Sequence, residues 1–134
     1  MSQENVDVVR RLYEEWVKGD FGNREPFAED LEFEVAGWLA FQADPIKARG
    51  IDGMASVWRK TLQDWDDFHT GPIEELIEAG DQIVVFNRVG GRGRHSGVEV
   101  DSRRGAVFTF RAGKIARLFL ADREEAFEAV GLSE

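Results

Sequence analysis

Asp122 is the acidic side chain whose setting best suits proton transfer. It follows the alternating residues Leu118 and Leu120, so it falls in phase with them at the end of the last predicted strand. At the edge of an apolar pocket, such a carboxyl group can act as a general acid or base. Asp122 and Glu125 also have the D-x-x-E spacing of a helix capping box, which is the competing structural interpretation.

Arg88 is a second candidate, because it interrupts an apolar strand. If it shares an inward face with Phe86, its guanidinium enters the pocket and must meet a ligand anion or a carboxylate such as Asp122 or Glu34. The alternative places Arg88 on the outer face of the sheet and buries Asn87 instead.

His69 is the third candidate, since histidine carries protons near neutral pH and this one lies on a strand entering the predicted sheet. In a pocket, His69 can serve as a base. A structural or surface role is the alternative, and His95, within a glycine-rich reversal, is expected to be solvated.

The chain is rich in aromatic residues, with ten Phe, four Trp and one Tyr among 134 residues. That much ring surface in a small domain indicates either a dense core or a pocket lined with rings. The predicted pocket wall consists of Tyr13, Trp16, Trp38, Phe41, Trp58, Phe86, Phe108, Phe110, Leu118 and Leu120.

Composition excludes several classes of function. The chain has no cysteine, so disulfides, thiolate nucleophiles, cysteine zinc sites and iron–sulfur clusters are excluded. Two histidines argue against a histidine-rich metal site, and a site made of carboxylates alone is the alternative that stays open; the prediction is that the protein has no metal and no other cofactor. A net charge of -9 argues against partners such as nucleic acid or anionic membranes. The polar first residues and the lack of a long apolar run predict a cytoplasmic protein.

Hydrophobic periodicity supplies the elements that must position these groups. A spacing of three and four predicts helices over residues 3–18, 23–30 and 52–63, with Asp52 as an N-cap candidate. A period of two predicts strands over 31–36, 68–79, 82–92, 98–111 and 114–121, followed by a short helix over 122–130. Residues 37–50 have no firm period and are interpreted as a loop over an apolar surface.

The order of these elements predicts one domain over residues 1–134, of the α+β class, with helices on one face of a curved, mostly antiparallel sheet. Its last strands are apolar on both faces, notably at residues 83–86 and 107–110. The helices can cover one face, so a homodimer is expected to hide the other.

Several segments taken in order resemble one family along essentially the whole chain. They are NVDVVRRLYEEWVKGD, FAEDLEFEV, WDDF, ELIEAGDQIVV, GRGRHSGVEVD, VFTFRAGKIARL and DREEAFEAVGL. The chain resembles the SnoaL-like, polyketide cyclase-like proteins of the nuclear transport factor 2-like superfamily. The resemblance implies a cone-shaped half-barrel, with the sheet wrapped around the first helix and an apolar cavity open at one end.

Known members of this superfamily include polyketide cyclases, ketosteroid isomerase, limonene epoxide hydrolase, scytalone dehydratase and non-catalytic binders, and many are dimers. The functional positions of ketosteroid isomerase fall at Val35, Ala106 and Leu12, with Tyr13 adjacent, so that activity is not expected here. The resemblance implies a pocket for an apolar cyclic molecule, with Asp122 as acid or base in cofactor-free cyclisation, isomerisation, dehydration or hydrolysis. The alternatives are a non-catalytic module that binds a hydrophobic small molecule and a dimeric interaction domain.

Overall fold

The computed structural model describes residues 2–36 and 45–131 as three helices and a curled, mixed seven-stranded sheet. Within those residues, none of the helices has both the length and the apolar character that crossing a membrane requires. The elements are α1 (Ser2–Val17), β1 (Phe27–Val35), β2 (Ile46–Arg49), α2 (Gly50–Asp64), β3 (Trp65–Thr70), β4 (Glu75–Ala79), β5 (Gln82–Gly93), β6 (Glu99–Arg111), β7 (Lys114–Ala121) and α3 (Arg123–Ala129).

The sheet confirms the expected α+β half-barrel, with one parallel pair among antiparallel ones. Its strand order is β2-β1-β7-β6-β5-β3, and β4 also pairs with β5. β1 and β7 run parallel, whereas β5, β6 and β7 form an antiparallel meander. The parallel pair joins the first strand to the last, so strands from opposite ends of the sequence lie side by side in one sheet.

The prediction of a second helix over residues 23–30 is wrong. The side-chain oxygen of Asn23 accepts a hydrogen bond from the Glu25 amide, which forms a local turn instead of a helix cap. Phe27 then starts β1, where it pairs with Ile115 of β7. Burial of Phe27 against the sheet outweighs the weak local helical signal.

The strand predicted over 68–79 is two strands. β3 pairs with β5 at Trp65–Thr70 and β4 pairs with β5 further along the same edge. Residues 71–74 connect them, and Pro72 within this loop cannot donate to a ladder. Most of the segment predicted as a loop over 37–50 lies outside the described residues, but its end forms β2 and the first residue of α2. α2 begins after Arg49, so Asp52 lies inside its first turn and is not the cap.

Apolar side chains form one core on each face of the sheet. The inner core contains the buried face of α1, including Val9, Leu12 and Trp16, together with alternate residues of the strands. Its spacing along α1 is the predicted one, with one apolar residue per turn facing the sheet. The outer core consists of Ala36, Val84, Phe86, Val107, Phe119, Ala121, Ala126 and Phe127.

α3 covers the outer core from within the same chain. The Phe127 ring lies 5.1 Å from the Phe86 ring, and the guanidinium of Arg123 lies 4.4 Å from the Phe86 ring centroid. The outer apolar surface was the reason for expecting a homodimer, and much of that surface is already buried by α3. The homodimer stays a prediction, but the apolar surface that α3 buries no longer supports it.

The contact between α3 and β6 depends on Gly105. A Cβ atom at Gly105 would stand 2.8 Å from the Ala126 Cβ and 3.0 Å from the Phe86 ring. We expect Gly105→Ala to lower the free energy of unfolding by about 1–3 kcal/mol, because the added methyl overpacks this contact. Chemical denaturation of the wild type and the variant measures the difference.

Ala126→Gly provides the matched control for this contact. It removes the methyl group that the new Cβ would strike, so Gly105→Ala should cost less in the Ala126→Gly background than alone. Additive effects of the two changes would show that the collision does not occur.

Candidate functional site

The predicted pocket wall is largely assembled on the inner face. Tyr13 and Trp16 of α1 stand 4.9 Å apart by ring centroid, and Trp16 lies 5.5 Å from Trp58 and 6.2 Å from Phe108. These four residues share the inner core with Phe110, Leu118 and Leu120. The rings pack against one another. Trp38 and Phe41 lie outside the described residues.

Phe86 and Arg88 do share one face, but it is the outer one. Phe86 belongs to the outer core, which corrects the expectation that it lines the pocket. Arg88 is exposed and its Nε donates to Asp101 Oδ1 at 3.1 Å. Asn87, the preceding residue of the strand, points inward and is 3% exposed. The structure therefore has the alternative arrangement, with Arg88 on the outer face and Asn87 buried.

His69 also lies away from the inner face. It pairs with Gly90, whose neighbours Val89 and Gly91 face inward, and its side chain is exposed. Its Nδ1 donates to the carbonyl oxygen of Asp67 at 2.9 Å. This geometry does not bring the imidazole to the ring cluster, so the expectation of a pocket base at His69 is not supported by its placement.

Asp122 is the N-cap of α3. Its Oδ1 accepts a hydrogen bond from the Glu125 amide at 2.8 Å, which satisfies one of the free donors at the start of the helix. The carboxyl group therefore has the structural role that the capping-box spacing indicates. Asp122, Arg88 and His69 do not converge on one site.

A polar row crosses the inner face instead. The buried amide of Asn87 donates from Nδ2 to Thr70 Oγ1 at 2.8 Å and to the Gly71 carbonyl at 2.9 Å. Arg104 is opposite Asn87 in the register between β5 and β6 and is half-buried. These hydrogen bonds fix the end of β3 and the loop that follows it.

A groove lies between α1 and the β3–β4 loop, with a volume of about 540 Å³. Tyr13 borders it, and the Tyr13 side chain is only 3% exposed. Burial raises the pKa of the Tyr13 hydroxyl far above its ordinary value, and no hydrogen bond from a described residue offsets that burial. The other lining residues are Arg10, Glu14, Val17, Lys18, Pro72 and Ile73.

Sequence reasoning placed Tyr13 in the wall and gave the burial of Asn87 as an alternative, but it did not predict the groove or the partners of Asn87. Asn87 had a readable signal, because it is an uncharged polar residue inside the apolar run VVFNRV. The groove had none, since it arises where a helix and a loop distant in sequence lie side by side. Arg104 could have been found only with the register of β5 and β6 in hand.

Comparison with known families identifies the chain. The family model described as SnoaL-like domain matches residues 9–118. The chain belongs to the SnoaL-like domain family. The match begins within α1 and ends within β7, so it includes most of the inner core and the β3–β4 loop. No match was found among curated proteins.

Solved structures similar to this SnoaL-like domain share its fold at low sequence identity. A protein assigned as a SnoaL-like polyketide cyclase from Jannaschia sp. CCS1 has a TM-score of 0.72 at 19% identity, covering 96% of this chain and 91% of that one. TerC, co-crystallised with polyporic acid, has a TM-score of 0.73 at 19% sequence identity, covering 95% of this chain and 97% of that one. An NTF2-like protein from Burkholderia thailandensis E264 has a TM-score of 0.73 at 22% sequence identity, covering 87% of this chain and 88% of that one.

The cap role of Asp122 predicts a graded response to substitution. Asp122→Ala should lower the free energy of unfolding by about 1 kcal/mol, whereas Asp122→Asn should change it little, because asparagine also accepts from helix amides. Urea denaturation of both variants measures this. Equal losses in the two variants would mean that the carboxylate charge, and not the cap hydrogen bond, stabilises α3.

The carboxyl group of Glu125 is expected to make the free energy of unfolding depend on pH. Burial raises the pKa of its carboxyl group, and the hydrogen bond and negative charge of Asp122 raise it further. A carboxyl group whose pKa is raised in the folded state stabilises the fold at pH values below its ordinary pKa. It loses that contribution as the pH rises through the pKa of the folded state. Glu125→Gln should therefore raise the free energy of unfolding at about pH 7 and give no gain at about pH 3.5.

Glu124→Gln is the control for this comparison. Glu124 is also acidic and lies in the first turn of α3, but it is exposed. Removing its charge loses a favourable interaction with the helix dipole, so this variant should not be stabilised at about pH 7. A gain of the same size in both variants would contradict the assignment to Glu125.

Proposed function

We propose that this SnoaL-like domain binds a small apolar cyclic molecule in the groove between α1 and the β3–β4 loop, without catalysing its conversion. The Tyr13 hydroxyl carries this proposal. It belongs to a buried side chain at the border of the groove and makes no hydrogen bond to a described residue. The groove gives a bound molecule access to this hydroxyl, so an oxygen atom of that molecule could accept a hydrogen bond from it.

The raised pKa of Tyr13 defines what this group does. The hydroxyl remains protonated throughout the physiological range, so it acts as a hydrogen-bond donor and not as a phenolate base. A carbonyl, ether or hydroxyl oxygen on the ligand fits this donor. The ring of Tyr13 contacts Trp16 and Phe108, which hold it in place.

The rest of the groove suits an apolar ring. Val17 is 46% exposed there, and Pro72 and Ile73 form the opposite wall. A bound ring would remove this apolar surface from water, which is the main favourable contribution to such binding. The volume of about 540 Å³ is that of a site for a small organic molecule.

Binding is favoured over acid–base turnover because of where the proton-transfer groups lie. Asp122 caps α3, and Arg88 and His69 are exposed on the outer side of the sheet. Polar groups on the inner face of the described chain include the amide of Asn87, the hydroxyl of Thr70 and the phenol of Tyr13. The amide and the aliphatic hydroxyl are not acid–base groups near neutral pH, and burial raises the pKa of the Tyr13 phenol further above that range.

An uncharged naphthyl ketone, the dye Prodan, tests the proposal. Its fluorescence shifts to shorter wavelength on leaving water, and its carbonyl oxygen can accept from Tyr13. We expect saturable binding that Tyr13→Phe weakens about fivefold, which corresponds to one hydrogen bond. The free energy of unfolding should stay nearly constant, because the hydroxyl has no partner among the described residues.

Two valines locate the binding surface. Val17 lines the groove, whereas Val98 is 48% exposed near the β5–β6 turn. Val17→Gln should weaken Prodan binding about fivefold, because it replaces apolar contact surface, and Val98→Gln should leave binding unchanged. A lack of Prodan binding, or equal effects of the two valine changes, would refute the proposed site.

A further inference from the structure

The two cationic side chains of the groove have no anionic partner among the residues that the structure describes. Arg10 and Lys18 line the groove and are exposed, and neither makes an ion pair or side-chain hydrogen bond with a described residue. Many other cations of this chain are paired, as Arg88 is with Asp101 and Arg103 with Glu74 and Glu75. Arg59 and Arg92 also make no ion pair with a described residue, but Arg10 and Lys18 lie beside the same groove and concentrate positive charge there in a chain with a net charge of -9.

Glu14 makes this arrangement more specific. It lies one turn after Arg10 and one turn before Lys18, a spacing at which helix side chains of opposite charge often pair. No such pair is formed here, so both cations and the Glu14 carboxylate remain available to a ligand. The local charge is one positive unit in excess, next to the Tyr13 hydroxyl.

We propose that the ligand of this groove carries an acidic group, of the carboxylate type, on its apolar ring. The inference rests on the proposed function and adds the charge of the molecule that is bound. Arg10 lies one turn before Tyr13 on α1, so its planar guanidinium can meet a carboxylate whose other contact is the Tyr13 hydroxyl. Lys18 adds a second positive charge at the other end of the groove, and Glu14 opposes ligands with more than one negative charge.

A carboxylate and its amide form a matched pair of probes. 2-Naphthoate and 2-naphthamide have the same ring and a similar shape, and both present an oxygen atom to Tyr13, but only the naphthoate is charged near neutral pH. Isothermal titration calorimetry should show naphthoate binding about tenfold more tightly, because each exposed ion pair contributes a few-fold. The net negative charge of the protein would produce the opposite preference without a local cationic site.

Charge variants assign the preference to the groove. The double change Arg10→Gln and Lys18→Gln should remove the tenfold preference, measured as the ratio of the naphthoate and naphthamide affinities of the same variant. The double change Arg59→Gln and Arg92→Gln alters net charge equally at exposed positions outside the groove, and it should preserve most of the preference. Glu14→Gln should tighten naphthoate binding about threefold, because it removes a repulsive carboxylate.

The outcomes separate this inference from the proposed function. If Prodan and naphthamide bind at the groove and naphthoate binds no more tightly, the acidic ligand is refuted and the binding function stands. If none of the three probes binds, both are refuted. An equal loss of preference in the two double variants would show that net charge, and not Arg10 and Lys18, selects the anion.

Discussion

The central strands of this sheet are apolar on both sides, so neither face can remain in water, and different helices cover the two faces. α1 and α2 bury the inner face. α3 buries much of the outer face with help from Arg103, Arg117 and Arg123, whose guanidinium groups lie over Phe86, Phe119 or Phe127. A side chain on β5, β6 or β7 therefore enters one core or the other according to its position along the strand. That alternation sends Asn87 inward and Arg88 outward, and it decides which polar groups can meet a ligand.

The sequence predicted α1, the β5–β7 meander and the cap of α3, because periodicity, turn glycines and capping residues are local signals. It could not orient β5. Residues Ile83 to Phe86 are all apolar, so the usual alternation of apolar and polar residues gives no direction for the inner face. The misplacement of Phe86 follows from that ambiguity. The helix expected over 23–30 failed for another reason, since Phe27 gains more from pairing with the distant β7 than from a local helix.

The candidate site follows from the same division of the sheet. Charged side chains such as Arg88, Arg103 and Arg123 lie on the outer side, where they form ion pairs in contact with water. The inner side holds rings together with the polar groups of Asn87, Arg104 and Tyr13, which can recognise the shape and hydrogen-bonding pattern of a ligand. Membership of the SnoaL-like family is compatible with either outcome, since one fold supports both catalysts and binders. The distribution of polar groups in this chain favours recognition.

The loop that interrupts the edge of the sheet between β3 and β4 is a place where the sequences of family members can diverge. The loop is anchored at both ends, by the Gly71 amide on the Arg88 carbonyl and by the Glu74 amide on the Phe86 carbonyl. Between these anchors, Pro72 and Ile73 take no part in strand pairing, so the register of β5 does not depend on them, although Ile73 also packs against the inner core. Opposite them, the groove-facing positions of α1 are exposed and free of inner-core packing, except for Tyr13. Selection can therefore retune this groove for a new molecule by a few substitutions, while the two cores continue to specify the same half-barrel.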